Sequence, residues 1–190
     1  MRGRVRAPQL SQGVRPTENM PPCLDVYVVT HLRDLDTLNR FVQLYVDRQA
    51  SNDRGDEQLM MLPLGANDEP KGSDQWDWEP ARDFDHVMSR ALDHPRRAFA
   101  FYMKSSNPAY DQVVIAFTAD NQTVLGVSID DPSGSEATLA RAKASLRKLA
   151  SEFGAYAGYV GWELPPPIVT GRVPPGEVSR VLFSWQEDAV

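Results

Sequence analysis

The sequence predicts an α+β fold, a mostly antiparallel sheet with two main helices, 34–49 and 134–153, packed on one of its faces. Three observations lead there. Residues 98–129 contain three strand-like runs separated by polar turns, the pattern of a meander. Runs rich in β-branched and aromatic residues near 25–31, 58–64 and 156–162 supply further strands. Two other segments repeat apolar residues at three- and four-residue steps, the period of a helix with one buried face.

Taken in order, residues 1–22 mix Arg, Gln, Pro and Gly without periodicity and read as a flexible leader, followed by a single domain over 23–190. Asp25 to His31 suits an inner strand. Asp34 or Asp36 supplies an N-cap for the first helix, whose stripe is Leu35, Leu38, Phe41, Val42, Tyr45 and Val46. Leu59, Met60, Met61 and Leu62 mark the strand at 58–64. Residues 65–80 hold too many turn formers for a regular element and read as a long loop. A short helix from Phe84 to Leu92 follows, ending before Pro95.

In the meander, strands at 98–103, 113–117 and 124–129 are expected. A three-residue loop from Ala119 to Asn121 puts Val113, Ile115 and Phe117 on one face with Leu125 and Val127, leaving Ala116, Gly126 and Ser128 on the other. That loop also gives Asn121 the left-handed position that Asn tolerates. Ser133-Gly134-Ser135-Glu136 has the form of a capping box. The helix behind it carries Leu139, Ala142, Leu146, Leu149, Ala150 and Phe153, a stripe expected to lie on the bulky face of the hairpin, and Gly154 is its natural stop. The prolines of 164–176 predict an extended arm, and Val181 to Trp185 an edge strand.

With 190 residues, 42% hydrophobic and 24% charged, the chain has the composition of one soluble globular domain. No apolar run approaches the roughly 20 residues that span a bilayer, and the basic N-terminus lacks the apolar core of a secretory signal. A cytoplasmic location without membrane contact is the expectation. Cys23 is the only cysteine, which excludes an internal disulfide and a cysteine-rich zinc site. The net charge of −6 argues against nucleic acid as a partner.

That charge is unevenly spread. Between Ser51 and Asp85 ten acidic residues face only Arg54, Lys71 and Arg82, a local balance of −7. Inside this stretch Trp76 and Trp78 flank Asp77, with Asp68, Glu69, Asp74 and Glu79 around them. Indole side chains dominate many binding interfaces, and surrounding carboxylates steer a basic partner inward. The plainer reading is that one Trp closes the loop on the core while the acids keep it soluble.

Other candidates are thinner. His86 and His94 are eight apart, about 80° around a helix axis, and match no zinc motif. Asp130 and Asp131 end a strand before a helix, where carboxylates serve acid–base chemistry, with His31 as an accessory. This makes a small hydrolase or transferase the competing class. Arg141, Lys143, Arg147 and Lys148 lie off the apolar stripe of their helix, the ordinary result of a solvated face. Asp130 to Ser135 lacks the glycine-rich turn by which acyl-CoA-dependent N-acetyltransferases hold pyrophosphate, and no Walker A, nucleophile elbow or Rossmann fingerprint is present. No cofactor or metal is expected.

Val26 to Thr30 leading into the Asp34 helix, the Trp76-Asp77-Trp78-Glu79-Pro80 loop and the hairpin ending in Val127 to Asp131 together resemble small bacterial immunity proteins. These neutralise secreted polymorphic toxins. The resemblance spans roughly residues 25–165 and implies a non-enzymatic inhibitor whose acidic surface occludes a toxin, often a basic nuclease. The expected binding residues are then Trp76, Trp78, Asp74, Asp77, Glu79, Asp68 and Glu69. A third possibility is pairing of the 181–185 edge strand with a second copy.

Overall fold

The computed structural model describes residues 22–31, 33–48, 59–64, 79–81, 83–131, 134–167 and 180–186, the strands 59–64 and 79–81 by backbone alone. The element order is β1 (Cys23–Thr30), α1 (Leu35–Tyr45), β2 (Leu59–Leu64), β3 (Glu79–Ala81), α2 (Phe84–Asp93), β4 (Ala98–Lys104), β5 (Gln112–Phe117), β6 (Thr123–Asp130), α3 (Glu136–Phe153), β7 (Ala157–Trp162) and β8 (Val181–Gln186). All the strands join one open antiparallel sheet in the order β3-β2-β4-β5-β6-β1-β7-β8. The α+β class and the 98–129 meander are therefore as the sequence predicts.

β1 lies between β6 and β7 and is buried from Leu24 to Thr30, which explains its nearly continuous apolar run. Its alternate residues serve two different layers. Leu24, Val26 and Val28 join the large side chains of β5 and β6 and the apolar stripes of all three helices in the main core. Tyr27 and Val29 face the other way, among the smaller Ala98, Ala100, Ala116 and Ala157. Gly126 opposes Tyr27, and any Cβ there would collide with the Tyr27 ring.

The β5–β6 hairpin has the predicted register. Ile115 pairs with Leu125, Phe117 with Thr123, and Asn121 takes the left-handed conformation at φ 66°. Asp34 caps α1, accepting a hydrogen bond from the Thr37 amide, and Gly154 ends α3 in the left-handed conformation.

Several boundaries differ from the sequence reading. β1 starts two residues early, so Cys23 belongs to a strand and not to the edge of a leader. The first helix stops at Tyr45, short of 49, because the backbone at Val46 and Asp47 turns to pair with Ser105 and Lys104. The last helix starts at Glu136 with Ser135 as its N-cap, in place of the Ser133 capping box. Gly134 at φ 63° sets up this later start, and the Asp131 carboxylate accepts from the Ser135 amide at 3.2 Å. α3 packs mainly across β1 and β7 and reaches the hairpin only at β6, although its stripe shares the main core with the hairpin's bulky face. Glu79 and Pro80, expected in a loop, form part of β3, where an edge position tolerates the missing proline N–H. The short α2 runs one residue past the expected Leu92, with Asp83 as its N-cap. Residues 1–21 of the leader, 65–78 of the loop and 168–176 of the arm lie outside the described residues.

Candidate functional site

β8 ends the sheet and alternates half-buried with exposed residues. A register shift between Val160 and Gly161 puts a bulge into this pairing. Val181 therefore packs on the tyrosine face of the sheet, whereas Phe183, opposite Val160, packs on the helix side. Trp185 follows two residues later on that same side, opposite Gly158. Gly158 has no room for a side chain, since a Cβ would sit 2.6 Å from Leu146 Cδ1 and 2.9 Å from the Tyr27 carbonyl oxygen. The helix thus approaches β7 closely while the aromatic pair on β8 stands beside it.

A groove results, with a cavity of about 340 Å³ between α3 and β8. Leu146, Ala150, Ala155, Phe183 and Trp185 give it apolar walls, and Arg147 stands at its rim. One helical turn before Arg147, the Lys143 ammonium lies 5.1 Å from the centre of the Phe183 ring. Of the helix's two acids, Glu152 is engaged by Lys148 at 3.9 Å and by the Tyr45 hydroxyl. Among the described residues, Lys143 and Arg147 have no carboxylate within ion-pair distance. This patch is basic in a chain whose net charge is −6.

A second grouping lies where β1 begins and β6 ends. Ligand atoms of Cys23, Asp111 and Asp130 lie within 4.8 Å of one another. The Cys23 thiol donates to Asp130 at 3.5 Å, and its pKa is pushed up to about 12 by burial, then by that hydrogen bond and the surrounding carboxylates. Two residues on, Asp25 is buried and accepts from the Ser128 hydroxyl at 2.5 Å. Burial raises its pKa to about 7, although bonds from Ser128 and the Leu164 backbone pull the other way. The thiol is held protonated, which suits a structural polar contact better than a nucleophile.

The predicted acid–base trio does not assemble. His31 follows β1 at the end where Thr30 pairs with Thr123, and Asp130 lies at the opposite end, where it pairs with Cys23. The His31 ring stacks on Tyr156 at 4.0 Å and bonds Gln122 at 2.6 Å. Asp130 is exposed, whereas Asp131 is buried against the start of α3. His86 lies in α2 and His94 caps its C-terminus, and neither joins a group of potential metal ligands among the described residues. Trp76, Trp78, Asp68, Glu69, Asp74 and Asp77 fall outside the described residues, and Glu79 is placed only as a β3 backbone position.

Sequence reasoning identified β8 as an edge strand but missed the groove. The alternation of Phe183 and Trp185 was a usable signal. What hid the site was its other wall, since helix stripes say nothing of which strand lies alongside them.

No family model matches the chain, and no curated protein matches it. A Pseudomonas aeruginosa T6SS protein is similar at 13% identity and a TM-score of 0.37, over 81% of this chain and 46% of that one. The chain thus spans less than half the length of that protein. A chain of the crystal structure of the toxic C-terminal tip of CdiA from Pseudomonas aeruginosa in complex with immune protein is similar at 12% identity and a TM-score of 0.39, over 88% of this chain and 97% of that one. Likeness at this level is one of general chain arrangement, and it assigns neither an activity nor a partner.

Proposed function

We propose that the protein is a non-enzymatic protein-binding module, an inhibitor of the immunity type that works by occluding a partner protein. The observation that carries this reading is the open groove at the sheet edge. Two aromatic side chains, Phe183 and Trp185, are only half-buried there beside Leu146 and Ala150. Aromatic residues that line a concave apolar surface within a polar rim are the usual anchors of a protein interface.

The acidic stretch with Trp76, Trp78, Asp68, Glu69, Asp74, Asp77 and Glu79 is proposed as a second contact, on sequence grounds. Its carboxylates would steer a basic partner such as a toxin nuclease, and its indoles would anchor it. The two surfaces carry opposite charge and suit different parts of one partner.

The natural probe is the product of the neighbouring gene, since an inhibitor is normally encoded beside its target. Purified together, the two should form a stable complex. Replacing Phe183 and Trp185 by Ala should weaken it by about two orders of magnitude or more, the loss of two anchors, while the melting temperature moves by only a few degrees. Trp76→Ala with Trp78→Ala should weaken it independently. Wild-type affinity in the Phe183/Trp185 variant would remove the groove from the interface.

A further inference from the structure

We infer that the groove takes an extended, acid-bearing segment of the partner, added as a ninth strand along β8, with its carboxylates on Lys143 and Arg147. This rests on the reading of the groove as a docking site and goes on to name what docks.

Among the described residues β8 is the outermost strand at its end of the sheet, so its backbone offers the pattern that an extended segment completes. Phe183 and Trp185 share the helix side of β8, and a strand added beside them would turn every second side chain to that side. One such side chain fills the space between Trp185, Leu146 and Ala150. The side chains two and four residues further along the added strand, on the same side, reach the rim.

The rim selects charge. Lys143 and Arg147 are four residues apart on one helix face, about 6 Å along the axis. Alternate side chains of a strand repeat at about 6.7 Å, so two acids separated by one residue match the two cations. Among the described residues these cations have no carboxylate to satisfy them.

Two other occupants fit less well. A second copy joining β8 to β8 would bring four such cations onto one side of a joint sheet, with no acid between them among the described residues. Nucleic acid needs a longer basic track than two residues on a chain of net charge −6, and an apolar wall offers it no phosphate contact.

The test uses the full chain and a labelled eight-residue Val/Glu peptide, Thr-Glu-Thr-Glu-Thr-Val-Thr-Thr, whose two Glu and one Val share a face of the strand, with a Val/Lys peptide in which Lys replaces both Glu and an eight-nucleotide thymidine strand as controls. Fluorescence anisotropy should show binding of the Val/Glu peptide alone, weakening as salt rises, with the amide signals of Val181 to Gln186 shifting on titration. Lys143→Glu with Arg147→Glu should weaken it by about tenfold or more and transfer the preference to the Val/Lys peptide, a gain that misfolding would not produce.

Equal binding of both peptides, binding of the thymidine strand, shifts that spare β8, or a concentration-dependent dimer that buries β8 would each overturn the inference. So would a Val/Glu peptide that does not bind at all. In those cases loss of the neighbouring-gene complex in the Phe183/Trp185 variant would still uphold the docking site, and its persistence would remove both.

Discussion

Asp25 shows how one side chain couples the sheet to solution pH. It points away from the helices, buried beside Tyr27, with Ser128 directly across the strand pair. Burial lifts its pKa from an ordinary 3.8 to about 7, so the folded protein holds this proton more tightly than the unfolded chain does. The sign follows from linkage. The favourable contribution is complete below about pH 4, is lost as pH rises through about 7, and changes no further above that. Urea unfolding at pH 5, 6 and 7.5 should show the wild type losing stability relative to Asp25→Asn across this window, by at most about 1.4 kcal/mol per pH unit for a single proton. Parallel profiles for the two proteins would mean that Asp25 is ionised throughout. A pattern-based reading had no access to this, because Asp at the start of an apolar run looks like a surface residue until its cross-strand neighbour is known.

Elements were legible wherever periodicity decided them and blurred wherever tertiary contacts did. The β5–β6 register could be read because only one loop length gathers Ile115, Phe117, Leu125 and Val127 on a single face, as the pairing has them. The start of α3 could not, because Ser133 and Ser135 both precede an acidic first turn. What separates them is Asp131, whose carboxylate reaches the Ser135 amide and leaves the Ser135 hydroxyl to accept from the Thr138 amide at 3.1 Å. Ser135→Ala should therefore cost about 1 kcal/mol, a fall of a few degrees in melting temperature, while Ser133→Ala should cost almost nothing. The opposite ranking would restore the earlier capping box. In the same way α1 ends where Val46 leaves it to bridge Ser105, a contact 59 positions away that no local stripe encodes.

At the scale of the molecule, Arg33 ties separate elements together. From the link before α1 its guanidinium reaches the end of α2, donating to the carbonyls of Ala91 at 2.6 Å, His94 at 3.3 Å and Pro95 at 2.9 Å. It also donates to the Thr118 carbonyl at the hairpin turn and lies 4.7 Å from the centre of the Phe117 ring. A planar fork meets these acceptors and stacks on the ring at once, whereas a lysine ammonium does not. Burial lowers its pKa to about 10, still high enough to keep it charged at neutral pH. Arg33→Lys should lower stability by about 1.5–3 kcal/mol, read from urea midpoints, because an ammonium cannot serve the last carbonyls of α2 and the hairpin turn together. A change below about 0.5 kcal/mol would show that solvent replaces it.

The candidate docking groove belongs to this scale as well. Its walls come from α3 and β8, and only the sheet order brings them together. The sequence supplied the aromatics of one wall and the cations of the other as separate facts.

The sheet order also bears on how the chain is made. β1 comes first among the strands, yet it is zipped to β6 and β7, with Asp25 meeting Ser128 across 103 positions and Tyr27 meeting Leu164 across 137. During synthesis this buried strand leaves the ribosome long before its neighbours exist. It must be shielded by chaperones or by transient collapse until the last third of the polypeptide emerges, and slow, late maturation is the cost of a centre built from the beginning of the message.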